Sequence, residues 1–246
     1  MLSYTKKQDI LLKIGGGVIL FAMILVLIAR SWVQSANYTL LGITGIVSFS
    51  ISDFITIENV LLFAHIMMGL MALSFNRKKS MLFASAVCTL IYAYRSVVGI
   101  FTLNTQRQGE TTYFIGTLLG VIISLLPYIC IVWFAYKNEH PEKTLLKEKA
   151  LVAASIVFSV LSMVSNGINV YRVFANYPDI INVFDIDNAS RESIMQNFDG
   201  IQLFAGVFPS IFQYLGLLFI VLGIKHYGKF SNKNQESNDF FTNGNA

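Results

Sequence analysis

Charge is scarce in this sequence: only 13% of its 246 residues are charged, against about 25% in an ordinary soluble domain. Hydrophobic residues make up 54%, more than a soluble fold of this length can hide. Apolar side chains facing lipid need no packed protein core, and each spanning helix satisfies its own backbone hydrogen bonds. The composition therefore implies an all-α, polytopic membrane helical bundle. Cysteine is nearly absent. Cys88 and Cys130 each sit inside an apolar run, where a thiol behaves as a small hydrophobe, which excludes a disulfide framework and a thiolate metal site.

Other absences narrow the chemistry. The sequence holds no phosphate-binding loop, nucleophile elbow, Cys-x-x-Cys or zinc-protease spacing, and no paired intramembrane aspartates. No cofactor and no metal is implied. The net charge of +4 points to no nucleic acid, because the basic residues sort by loop and accompany no aromatic platform. Gly15-Gly16-Gly17 lacks the preceding strand of a nucleotide loop and reads as close helix packing or a flexible helix start.

What is present is a series of six apolar runs, at residues 11–33, 54–75, 80–103, 113–136, 150–174 and 201–224. Each reaches the roughly 20 residues needed to cross ~30 Å of hydrocarbon. They form one transmembrane domain over residues 1–230, followed by a polar tail, 231–246, expected to be disordered. The first run, preceded by Lys6, Lys7 and Lys13, also resembles a signal peptide. Its length favours a retained span. Segments 34–53 and 175–200 are expected as outer loops, the apolar stretch 40–52 lying at the interface or dipping into the bundle.

Orientation follows from the basic residues. With the N-terminus inside, Arg30, Arg95, Arg107, Arg172 and Arg191 fall in the outer half, and the remaining 13 of the 18 lysines and arginines, every lysine among them, fall inside. Cytoplasmic flanks carry such an excess, so both ends are expected in the cytoplasm. The compact loops and the short inner turn Asn76-Arg77-Lys78-Lys79 suit a bacterial plasma membrane.

Ionisable and amide groups within the runs are costly in lipid and are the candidates for function. The fifth run carries Ser155, Ser159, Ser162, Asn166, Asn169 and Arg172 at spacings of three and four, one continuous polar stripe. The third carries Tyr92 and Arg95, and the sixth carries Gln213 beyond Pro209. In the second, Glu58 and His65 are seven apart on one helix face and could relay protons. Alternatively, Glu58 meets water and His65 bonds across helices. The stretches Gly120 to Tyr128 and Gly206 to Tyr214 share Gly, Val, Ser and Tyr at equal spacing, a weak internal repeat.

These features suit a small-solute carrier or the membrane subunit of a transport complex, with a pathway along the third, fifth and sixth helices. The arginines favour an anionic solute. The same helices suit an accessory protein (a sensor, immunity or assembly factor) that binds another membrane protein. A membrane-embedded enzyme using Glu58 and His65 is the remaining class.

Overall fold

The computed structural model describes residues 6–42, 56–73, 84, 86–91, 93–94, 125–134, 136–137, 148–186 and 189–225. Helix α1 spans Lys6–Leu41, α2 Ile57–Leu73, α3 Leu125–Phe134, α4 Glu148–Asn176 and α5 Arg191–Lys225. A 3-10 helix, Pro178–Val183, joins α4 to α5. No strand occurs among the described residues.

Three of the helices are long and apolar enough to cross a membrane: Lys7–Leu41, Glu148–Asn176 and Arg191–Gly223. Glu58–Leu73 and Leu125–Phe134 are shorter apolar helices. The third expected run is described only at residues 84, 86–91 and 93–94, all helical. The expected tail and the interfacial stretch beyond residue 42 lie outside the described residues.

Two expected loops are partly helical. α1 continues past residue 33 to Leu41, and α5 begins at Arg191 rather than 201. These extensions are amphipathic rather than apolar, so they did not register as spans. In the α5 extension Ile194 and Asn197 turn inward while Met195 is exposed. Its start is capped by Ser190, whose Oγ accepts the Ser193 amide at 3.2 Å. At 36 residues, α1 is about 54 Å long at ~1.5 Å per residue. It overshoots ~30 Å of hydrocarbon by several turns.

Pairwise contacts fix the helix directions. On α1, Gly15 meets Gly216 of α5 and Leu40 meets Arg191, so α1 and α5 are antiparallel. Gly16 meets Gly69 and Arg30 meets Asn59, so α2 also runs against α1. Leu126 meets Ser155, and Trp133 and Lys137 meet Glu148, so α3 runs against α4. α4 returns into α5 through the 3-10 helix, so α1 and α4 run one way and α2, α3 and α5 the other.

The α1 contacts are close enough to demand glycine. A Cβ on Gly15 would fall 2.8 Å from the Gly216 carbonyl oxygen, and one on Gly16 would fall 2.6 Å from the Gly69 oxygen. Consecutive helical residues point about 100° apart, so these two glycines seat α5 and α2 on adjacent sides of α1. Of the two readings of this glycine run, close packing holds for Gly15 and Gly16. A Cβ on Gly17 would touch nothing.

The core has two parts. The larger includes Leu12, Ile19, Met23, Leu62, Met68, Cys88, Tyr128, Ile131, Val152, Leu217 and Ile220. The smaller lies at the other end of α1 and α5, where Ala36, Val173, Ile180, Val183, Ile194 and Ile201 pack with Trp32, Phe174, Phe198 and Phe204. We call this second part the cap.

Candidate functional site: a polar cluster at the middle of the bundle

The interior of α2 is apolar except for His65, which is 1% exposed. His65 Nδ1 lies 2.7 Å from the Leu61 carbonyl oxygen one turn earlier. A carbonyl only accepts, so Nδ1 carries the hydrogen and the neutral ring presents Nε2 as an acceptor. Tyr128 of α3 brings its hydroxyl to 2.8 Å from Nε2. Gln213 of α5 donates from its Nε2 to the Tyr128 oxygen at 2.6 Å, and the same amide nitrogen lies 3.0 Å from His65 Nε2. Tyr128 can thus donate to the imidazole while accepting from the amide. The two rings meet edge to face with centroids 5.7 Å apart. The Cys88 sulfur lies 3.8 Å from His65 Nδ1.

Depth in the bundle gives this cluster its significance. Phe21 touches Phe212 with ring centroids 5.2 Å apart, so Gln213 is level with the middle of the first apolar run. The Tyr214 hydroxyl meets Ser162, the middle of the fifth. Residue 65 is itself the middle of the second. The centres of four apolar runs therefore converge on one level, and the hydrogen-bonded cluster sits at it. About one turn later along α2 and α5 lie the glycine contacts at Gly69 and Gly216, which hold α2 and α5 against α1.

The other candidate residues are dispersed. Glu58 is exposed near the start of α2, about 10 Å along the axis from His65 at ~1.5 Å per residue. The fifth-run stripe changes character along α4. Ser155 is buried and shares its hydroxyl hydrogen between the Leu151 oxygen at 2.7 Å and the Leu126 oxygen of α3 at 3.0 Å, and Ser159 bonds back to the Ser155 oxygen at 2.9 Å. Asn166 and Asn169 are half-buried and Arg172 is exposed. Tyr92 and Arg95 lie outside the described residues. The structure thus brings His65 and Gln213 together and leaves Glu58, Asn166, Asn169 and Arg172 apart from them.

Tyr128 completes the cluster, yet in the sequence it is marked only by the weak repeat. Its counterpart in that repeat, Tyr214, faces Ser162 instead. The signal that could have found Tyr128 is its position beside Pro127 in the middle of an apolar run, where a buried hydroxyl needs a partner. Two of the arginines contact neighbouring helices: Arg30 donates to Asn59 Oδ1 at 2.7 Å, and Arg191 to the Leu40 carbonyl at 2.7 Å. Among the described residues, no group of three or more His, Cys, Asp and Glu side chains could hold a metal ion.

Among the described residues the structure is helical, and three apolar helices of spanning length there suggest a membrane protein. Compared with known proteins, it matches no family model, no curated protein and no solved structure.

Proposed function

We propose that the chain crosses a bacterial plasma membrane six times, with both ends in the cytoplasm, and carries a small polar solute past the His65–Tyr128–Gln213 cluster. The observation that carries this reading is the cluster itself, a hydrogen-bonded site built from three helices at the middle of an apolar bundle. Carriers bind their substrates near that level, and polar groups are too costly there to be incidental.

Helix direction supports the crossing number. α2 and α3 run the same way, and one further crossing between them, in the run 80–103, reconciles their directions. Cys88 on that run lies beside His65. The sorting of lysines supports the orientation. An anionic solute now rests on Arg95 and Arg172, because Arg30 and Arg191 are engaged with Asn59 and Leu40.

The full chain purified from native membranes in mild detergent tests the reading. Thermal unfolding should shift upward with a low-molecular-mass solute that co-purifies and is identified by mass spectrometry. The shift should vanish in His65→Ala and Gln213→Ala. Recovery with a stoichiometric membrane protein, and no solute effect, would favour the accessory class instead.

A further inference from the structure

α5 changes its manner of packing partway along. Its inner half is fixed backbone to backbone: a Cβ on Gly216 would fall 3.0 Å from the Gly15 oxygen and 3.0 Å from the Ile19 nitrogen. Its outer half meets its neighbours through side chains. Phe204 packs edge to face on Trp32, Phe174 and Phe184, with centroids 6.0, 5.7 and 5.5 Å away. Two hydrogen bonds tie α1 to the α4–α5 end: Trp32 Nε1 to the Val183 oxygen at 3.2 Å, and Arg191 to the Leu40 oxygen at 2.7 Å.

Between the two halves lie Gly206 and Pro209. Proline removes the amide that would bond to the carbonyl of Ala205 and crowds that carbonyl, so this turn of the helix is its weakest. A Cβ on Gly206 would meet nothing within 4 Å, so that side of the turn carries no packing, while the Gly206 carbonyl accepts from the Ser210 hydroxyl at 2.9 Å within the helix itself. The ladder Phe204, Phe208, Phe212, with successive centroids 5.0 and 5.5 Å apart, spans the weak turn. Gln213 follows immediately.

We infer that the cap is a gate: the outer half of α5 hinges at Gly206–Pro209 away from Trp32 and Leu40, uncovering the His65–Tyr128–Gln213 cluster from the outside. The glycine contacts below serve as the fixed end. This deepens the carrier reading and rests on it for the purpose of the motion, though not for the motion itself.

The native thiols report the opening. Both are buried, and Cys88 lies beside His65. In a Cys130→Ser background, a membrane-impermeant cationic methanethiosulfonate applied from outside should modify Cys88 slowly. Trp32→Phe with Arg191→Ala keeps an aromatic ring in the cap but deletes both hydrogen bonds, and should raise the rate about tenfold. Adding Gly206→Ala and Pro209→Ala, which stiffen the hinge away from the cap contacts, should bring the rate back toward that of the parent. An unchanged rate in the latch variant, an increase indifferent to the hinge, or an equal increase from the inner side would overturn the gate. Hinge-sensitive labelling without any solute effect would keep the gate and refute the carrier.

Discussion

Helix α1 meets its neighbours in two different ways along its length. At Gly15 and Gly16 its backbone touches the backbones of α5 and α2. At Trp32, Val33 and Leu40 it meets α5 and the 3-10 helix through rings, branched side chains and two hydrogen bonds. Even the glycine of the cap differs, because a Cβ on Gly200 would meet the ring of Tyr177 rather than main chain. A ring can rotate aside and a carbonyl in a helix cannot. The glycine contact is therefore the less tolerant of the two, whereas the cap can yield piecemeal.

Substitutions should separate the two regions. Gly216→Leu forces a branched side chain into main-chain atoms of α1, and is expected to cost more than about 3 kcal/mol and leave little folded protein, read as lost monodispersity in detergent. Trp32→Ala removes the centre of the cap, at about 3 kcal/mol. Its loss should appear as amide hydrogen exchange across residues 177–204, with residues 60–70 still protected. Exchange rising equally in both would erase the distinction between the regions.

Smaller effects sharpen the comparison. His65→Leu leaves Tyr128 and Gln213 with fewer partners and should cost about 1 to 2 kcal/mol. A double-mutant cycle with Gln213→Leu should show coupling, and strict additivity would mean that the bond contributes nothing. Arg191→Ala alone, at an exposed side chain, should change stability by less than about 0.5 kcal/mol. A larger loss in thermal unfolding would show that the cap is as tightly built as the core.

The sequence reveals apolar length well and partnership poorly. The runs at 11–33, 150–174 and 201–224 fall within the long helices because a hydrophobic stretch is a local property. The cap was not legible, because its extensions alternate polar and apolar residues and acquire meaning only when α1, α4 and α5 come together. His65 and Gln213 stood out as isolated polar residues. That they bond to each other and to Tyr128 depends on contacts between residues 63 to 148 positions apart. The fifth-run stripe shows the converse. Its spacing is regular, yet Ser155 bonds into α3 while Arg172 faces outward, because the neighbours of a helix change along its axis even when its sequence pattern does not.

The adjacent glycines of α1 also bear on the order of assembly. α1 leaves the ribosome before α2, and Gly16 can receive α2 as soon as that hairpin inserts. The notch at Gly15 fits Gly216 of α5, which is made much later than α2. A growing chain must therefore keep this notch empty until α5 has been made. A product truncated before α5 would hold α1 and α2 together yet present an unfilled groove to the bilayer, a mark by which membrane quality control could tell copies lacking α5 from those that have it.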